Sequence, residues 1–319
     1  MKAPRIPVVV AKIEEITPLV KRFKLVPKSG EPLPTFAGGA HIAVEMQDGD
    51  IVRRNSYSLM SSPFDTSHYA ISVRRDDAGR GGSLFLHRKV VEGQELFIGH
   101  PVNLFPMDRR ARRHLLVAGG IGITPFLSMI EHFAAEGADF ALHYAARSAA
   151  QAAYAAMLQQ RFPDRVTLYL LDKGEMLALR DLLPQQPIGT HLYVCGPAGL
   201  IDDAIAIAAE LGWPEQAVHY EHFLAPPVGA PYEIRLAASD KNVHVGSHQS
   251  MLEAIEAAGV EAPYLCRGGA CGQCETDVLA CDGQLLHFDH FLSDEAKASG
   301  RKVMPCVSRF EGRLLTLDR

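Results

Sequence analysis

Cys266-Arg-Gly-Gly-Ala-Cys-Gly-Gln-Cys274 sets three cysteines in a C-x4-C-x2-C run, and Cys306 stands far downstream. That spacing suits a [2Fe-2S] cluster, in which each iron takes two sulfur ligands from protein; a tight loop presents three and a distant strand supplies the last. Gly268, Gly269 and Gly272 let the loop turn tightly and bring backbone N–H groups near cluster sulfur. A zinc site, a disulfide pair or free core thiols are the other readings of such cysteines. Structural zinc usually draws on two compact pairs, whereas three of these cluster and one is remote. Cys195 and Cys281 stand outside the pattern, and Cys281 reads as an ordinary small thiol.

The chain has 319 residues, 47% hydrophobic and 22% charged, enough for two or three domains with real cores. Its opening, Met1 to Val10, lacks the long apolar stretch of a signal peptide, because Lys12 and Glu14 soon interrupt it. The apolar stretch Leu115 to Ile130 is broken by Gly119, Gly120, Gly122 and Pro125 and is too short to span a bilayer. A cytoplasmic protein with no membrane partner is expected, in a compartment that keeps thiols reduced and available to iron. The formal charge of −5 is concentrated at one end: from residue 231 onward there are 9 Lys+Arg against 13 Asp+Glu. An acidic cluster-bearing end argues against nucleic acid and fits docking to a basic patch on another protein, with a plain solvated surface as the alternative.

Three blocks follow one another. Residues 1–110 hold short apolar or β-branched runs, such as Val8 to Ile13, Phe23 to Val26, His41 to Val44 and Tyr69 to Val73, separated by Gly, Pro and Asp. They predict an antiparallel β-barrel. Residues 111–224 alternate the strand runs His114 to Ala118, Phe140 to Tyr144, Val166 to Leu170 and His191 to Cys195 with helix-like stretches, the pattern of a parallel α/β sheet. The Pro-rich stretch 225–231 reads as an extended linker to residues 232–319, the cluster-bearing block.

The second block carries nucleotide chemistry. Gly119-Gly-Ile-Gly-Ile-Thr-Pro125 follows its first strand and precedes the helix-like run Phe126 to Ala135, a turn that offers N–H groups to a pyrophosphate. A plain tight turn is the alternative, since this is not G-x-G-x-x-G. Cys195-Gly-Pro197 ends the last strand, and both loops lie at carboxyl ends, where open α/β sheets bind ligands. Arg147, just past the second strand, is a candidate phosphate contact or a surface arginine. In the barrel, Arg53-Arg-Asn-Ser-Tyr-Ser-Leu59 offers Tyr57 to a ring and Ser58 to a ribityl or phosphate oxygen, yet alone is only a good strand. Gly79-Arg-Gly-Gly-Ser83 forms a candidate phosphate nest.

Taken in order, R-x-Y-S in a barrel, then R-G-G-S, G-G-I-G-I-T-P, C-G-P, E-x-F and the cysteine run, the chain resembles the phthalate dioxygenase reductase family. That family includes the reductase components of vanillate demethylase and carnitine monooxygenase. The resemblance covers essentially the whole chain and implies FMN in a β-barrel flavin domain, NADH in the α/β domain and a [2Fe-2S] cluster in an α+β plant-type ferredoxin domain. A separate terminal Rieske oxygenase is the implied acceptor. It further implies that Tyr57 and Ser58 contact flavin, that Arg80, Gly81, Gly82 and Ser83 hold its phosphate, and that Thr124 sits near the flavin or nicotinamide, at the catalytic meeting point with Cys195. Gly119, Gly120 and Gly122 would face the dinucleotide, Cys195, Gly196 and Pro197 its nicotinamide end, and Glu221 and Phe223 would flank the flavin, with Phe223 stacking on the ring. Read without the family, Phe223 is a core aromatic.

One departure stands out: Asn55 occupies the position of the arginine in R-x-Y-S. Residues 53, 55 and 57 of an extended strand share a face, so Arg53 is the expected substitute cation, while Asn55 donates hydrogen bonds without charge. The wording Ser56 to Pro63 and Arg80 to His87 is similar to the carnitine-type reductases. A flavin converts a two-electron hydride donor to one-electron delivery. The expected activity is therefore NADH oxidation with single electrons passed through FMN and cluster to an oxygenase, in a monomer. The alternatives are a stand-alone NAD(P)H-dependent flavin or ferric reductase, and a non-enzymatic iron-sulfur carrier or sensor; flavin extraction and NADH oxidation separate the last from the others.

Overall fold

The computed structural model describes residues 5–49 and 51–319; the start of the N-terminal stretch discussed above, residues 1–4, lies outside the described residues. The described strands form three separate principal sheets and one short ladder.

The first sheet is antiparallel and has the order β4-β3-β6-β1-β2-β5, built from β1 Ile6–Thr17, β2 Val20–Pro27, β3 His41–Asp48, β4 Ile51–Ser58, β5 Tyr69–Arg74 and β6 Glu95–Ile98. Period-two alternation sends Val8, Val10, Phe23, Leu25, Ile42 and Val44 into one core. The sheet closes on itself beyond β4, where Met60 N–H donates to Ala70 O at 2.9 Å. Helix α1, Gly82–Arg88, follows the candidate nest directly and was not anticipated, because its seven residues are too few to show a helical period.

The second sheet is parallel, order β11-β10-β7-β8-β9, from β7 Arg113–Gly119, β8 Phe140–Ala146, β9 Val166–Leu170, β10 Thr190–Cys195 and β11 Val218–Glu221. Helices cover both faces, so Leu115 to Ala118 is a continuous apolar run: Leu116 and Ala118 pack with Phe126 and Ile130 of α2 (Thr124–Glu136), and Leu115 and Val117 with Ile201 and Ala204 of α5 (Ala198–Glu210). The short helices α3, Ala155–Arg161, and α4, Leu179–Leu182, complete the layers. Strand order reverses beside β7, which places the loops after β7 and β10 at the switch point where such sheets take ligands.

The third sheet, β13-β12-β18-β14-β16, holds β12 Tyr232–Leu236, β13 Lys241–Val245, β14 Thr276–Cys281, β16 Lys302–Val303 and β18 Leu314–Leu317; β15 Gln284–Leu286 pairs with β17 Arg309–Glu311. Helix α6, Met251–Ala257, packs Met251, Ala254 and Ile255 on this sheet, and α7 spans Asp294–Ser299. Two expectations are corrected. Cys306 lies in a turn between β16 and β17 and not on a strand, because the ladder ends at Val303. Residues 225–231 are extended, but they are no free tether: the buried Arg309 donates to Ala230 O at 2.8 Å and to Gln249 O at 3.0 Å. Among the described residues no helix is long and apolar enough to cross a membrane.

Candidate functional site

The four cysteines of the pattern converge from the loop 266–274 and the turn at 306. Cys266, Cys274 and Cys306 are buried and Cys271 is half-buried. The thiols lie in two hydrogen-bonded pairs, Cys266 with Cys271 and Cys274 with Cys306. The Cys271 thiol and the backbone N–H groups of Gly268, Ala270 and Cys271 pull the Cys266 sulfur down to about 5, whereas Cys271 is lifted as the proton-bearing partner. Two sulfur pairs, each with one thiol favoured as the anion, match the demand of two irons for two sulfur ligands each. Disulfides are absent among the described cysteines, and Cys195 and Cys281 stay apart from the group. Gly272 is required: its φ is +75°, and a Cβ there would lie 2.2 Å from the ring of Phe291. The loop is anchored by Arg267, which pairs with Glu256 and lies 3.6 Å over the Tyr264 ring.

Beside this loop lies a cleft of about 490 Å³ that all three modules line. The barrel contributes Asn55, Tyr57, Ser58, Arg80, Gly81, Gly82 and Ser83; the α/β sheet contributes Thr124, Glu221 and Phe223. Cys266, Arg267 and Gly268 close the far side. Ser56 of β4, which also lines the cleft, donates from Oγ to Cys266 O at 2.8 Å, so the strand under the cleft touches a cluster-loop carbonyl directly.

The cleft wall carries polar atoms without partners. Ser58 Oγ, His41 Nε2, Glu221 Oε2 and Arg80 Nε are all buried and unpaired. Burial pushes Glu221 up to about 8, helped by Cys266, and pulls His41 down to about 4. Both are therefore neutral near pH 7, and their 3.8 Å approach is a contact between uncharged groups. Burial likewise lifts Tyr57 to about 12. Neutral donors and acceptors along an apolar slot fit the heteroatom edge of an isoalloxazine ring, and such orphaned groups call for a ligand. Phe223 is 47% exposed at the cleft and not a core aromatic, so its ring face is free to stack.

The cations are arranged differently from expectation. Arg53 does share a face with Asn55 and Tyr57, but its guanidinium lies behind the loop, bonding Arg80 O at 2.8 Å and Asp48 at 3.5 Å. It is absent from the cleft wall and is not the substitute cation. Asn55 instead accepts from Arg80 Nη2 at 3.4 Å and donates to Tyr57 Oη at 3.3 Å, orienting both. The cleft arginine left without a side-chain partner among the described residues is Arg74 at the end of β5, exposed beside Gly81 to Ser83. Ser83 Oγ ties down the loop by bonding the Asp76 backbone.

At the switch point the nucleotide loops touch. A Cβ on Gly122 would fall 2.2 Å from Cys195 O, and one on Gly119 would fall 2.6 Å from Pro197. Gly120 opens the short turn after β7, and Gly196 packs on Gly119. Thr124 is buried at the cleft, with Oγ1 donating to Ile121 O at 3.0 Å. The Cys195 thiol is buried, which raises its pKa well above the ordinary value, so it is no nucleophile. Arg147 stands away from the cleft, exposed past β8, where its carbonyl accepts from Asp172 N–H at 3.0 Å.

His41 and Arg74 were not legible as cleft residues, since each is an isolated polar residue with no motif around it; the Ser250-x-x-Glu253 spacing announces a helix start and not a contact to Arg80. A second cluster, Asp108, His191 and His219, sits at the amino ends of β10 and β11. His191 Nδ1 and His219 Nε2 are 3.0 Å apart with ring centroids 5.3 Å apart. That pair of distances requires an end-on line of rings, so the lone pairs share a proton and do not converge on a metal. A larger groove of about 790 Å³ lies between β4 and α6. Its Arg5, Glu45, Arg54, Glu253 and Glu256 are consumed in ion pairs with one another or with Arg80 and Arg267.

Comparison with known proteins agrees with this geometry. Residues 101–218 match the family model for the N-terminal domain of dimethylamine monooxygenase subunit DmmA-like proteins, and residues 234–311 match the 2Fe-2S iron-sulfur cluster binding domain. The chain is 43% identical to the carnitine monooxygenase reductase subunit of Acinetobacter baumannii, over 98% of this chain and 97% of that one. It is 44% identical to the heme-dependent oxidative N-demethylase beta subunit of Ectopseudomonas mendocina, over 97% of each. The solved phthalate dioxygenase reductase, described as a modular structure for electron transfer from pyridine nucleotides to [2Fe-2S], superposes with a TM-score of 0.90 at 33% identity, covering 99% of this chain and 98% of that one. The chain belongs to the phthalate dioxygenase reductase family, oxidoreductases that use FMN, NADH and a [2Fe-2S] cluster as reductase components of oxygenase systems.

Proposed function

We propose that this chain feeds the terminal oxygenase of a system that cleaves C–N bonds in N-alkylated amines. What carries the reductase reading is the shared cleft: the strand that lines it bonds a cluster-loop carbonyl at 2.8 Å, so donor and acceptor sites are adjacent. FMN held in the cleft would supply the conversion of a two-electron hydride donor to one-electron delivery. The protein supplies placement. Tyr57, Ser58, His41 and Glu221 would line the ring slot, Phe223 would stack on the ring, and Arg74, Arg80 and the Gly81-Gly82 backbone would hold the phosphate, all of them residues of the one cleft. Thr124 and the Gly119–Gly122 and Cys195–Pro197 loops hold the nicotinamide end.

The choice of amine rests on names: carnitine, oxidative N-demethylation and dimethylamine recur among the relatives. A Rieske-type acceptor, implied by the sequence resemblance, shares this support with a heme-dependent one. Reconstitution with each oxygenase class, followed by product analysis, decides. Formaldehyde or aldehyde release from a trimethylammonium or dimethylamine substrate is expected, and coupled turnover of aromatic acids only would overturn the reading. Faster reduction of free flavin or ferric ion than of any oxygenase would favour a stand-alone reductase. We further place the chain in the cytoplasm as a monomer, consistent with its free cysteines and with one chain carrying all three modules.

NADH is expected over NADPH. The turn after β8 offers a single arginine, and Asp172 at the end of the neighbouring β9 adds the negative charge that the turn itself lacks. A dinucleotide bound at the β7 and β10 loops would extend over the neighbouring β8 and β9, so its 2′-phosphate would come near both turns. Asp172→Asn should raise kcat/KM for NADPH roughly fivefold by removing a like charge near the 2′-phosphate, with little change for NADH. A variant that changes neither ratio would show that Asp172 plays no part.

A further inference from the structure

Glu253 belongs to the cluster module, yet its carboxylate is shared by three segments. Within α6 it forms a capping box, accepting from Ser250 N at 2.8 Å while its own N–H donates to Ser250 Oγ at 3.1 Å. The same carboxylate accepts from Arg80 Nη1 at 2.6 Å and from the backbone N–H of Arg54 at 3.1 Å. Arg80 belongs to the phosphate loop and Arg54 to the strand under the cleft, so one side chain of the third module clasps both halves of the flavin site. The ion pair is dry, with 6% and 3% of the two side chains exposed. Arg80 also donates to His248 O at 3.2 Å, a second bond into the cluster module. Its Nε is buried without a partner, and the residue lines the cleft.

Two buried charges that complete one another are costly to separate, because either one alone is left uncompensated. Arg80 is therefore held from two sides, by Asn55 Oδ1 of the barrel at 3.4 Å and by the charged pair with Glu253 and the His248 carbonyl of the cluster module. We propose that Glu253 is a positioning residue for the flavin site: it sets Arg80 and β4, and so couples FMN binding to docking of the cluster module. This rests on the reading that FMN phosphate lies against Arg80 to Ser83. The coupling is reciprocal, as linkage requires: a docked module tightens FMN, and FMN tightens docking. Its use is to keep flavin and cluster at one spacing whenever both are present, since Ser56 reaches the Cys266 carbonyl from the same strand.

The test uses the full chain, stripped of FMN and reloaded. Glu253→Gln keeps the shape of the cap and removes the charge. It should weaken FMN affinity on the order of tenfold, read from the fluorescence of released flavin, and speed amide hydrogen exchange at residues 79–83. Ser250→Ala removes only the cap bond and should alter exchange in α6 while leaving FMN affinity within about twofold. In the unmutated chain, adding FMN should slow exchange in residues 251–257, which belong to a different module from the flavin; this measurement stands even if the variant fails to fold. A folded Glu253→Gln variant with unchanged FMN affinity, or no FMN-dependent protection of α6, overturns the coupling alone. A chain that neither contains nor binds FMN overturns the flavin reading and the coupling together.

Discussion

Cys271→Ser leaves NADH-dependent ferricyanide reduction near the unmutated rate but cuts reduction of cytochrome c or of the oxygenase at least about 100-fold, the scale on which a metal site fails when its ligation is disturbed. The substitution removes one sulfur from the pair Cys266/Cys271. Gly272 and Phe291 beside it keep the backbone of the loop in place, so loss of iron is the expected lesion and unfolding is not. Tyr57, Thr124 and Phe223 come from the first two sheets, whose cores share no residue with that of the cluster module. Iron and acid-labile sulfide analysis, visible spectra and the two acceptor assays check this. A variant that keeps its flavin and still drives the oxygenase at the original rate would show that electrons leave the flavin by another route.

The second large effect is expected at Gly122. A methyl group there would lie 2.2 Å from Cys195 O and 2.7 Å from Gly196 N, both backbone atoms that cannot turn aside. Gly122→Ala must push the β7 and β10 loops apart. Overpacking of this kind costs about 1–3 kcal/mol of stability. Displacing the loops proposed to hold the nicotinamide by about 1 Å should lower the rate of flavin reduction roughly 100-fold. Stopped-flow flavin reduction measures the loss, and the cluster spectrum should not change. Gly199→Ala, in the first turn of α5, is the control: a Cβ there meets nothing within 4 Å, so neither rate nor stability should fall. Equal behaviour of the two variants would remove the contact between loops from the account of the site.

Much of this organisation is written locally. The cluster ligands are legible because three of the four sit in nine residues and because cysteine has few other uses at that spacing. Leu115 to Ala118 announces a strand covered on both faces, and the glycines after it announce a turn at a ligand-binding end; both are short-range signals. The helix α1 escaped notice because a seven-residue helix starting at two glycines carries no period. The turn at Cys306 escaped for a related reason, since two- and three-residue strands bracket it.

Residue type and spacing alone determined the three-block order and the cysteine set; the candidate phosphate loops and the pair Glu221 and Phe223 became legible only through the ordered resemblance to a family. Which cation faces the cleft was decided only by tertiary structure. Arg53 has the right strand parity, but parity says which face a side chain takes and not how far along the strand the loop 79–83 crosses it. The loop crosses so that Arg53 holds the Arg80 carbonyl from behind, leaving Arg74, twenty-one residues later, as the cleft cation without a side-chain partner among the described residues. The charge state of Glu221 is of the same kind, because its rise to about 8 comes from burial next to Cys266, a neighbour from another module. So is the shared use of Glu253, which joins α6 to Arg54 and Arg80 across 199 and 173 residues of chain. Desolvation and ion pairing depend on what distant segments bring together, and no local pattern records that.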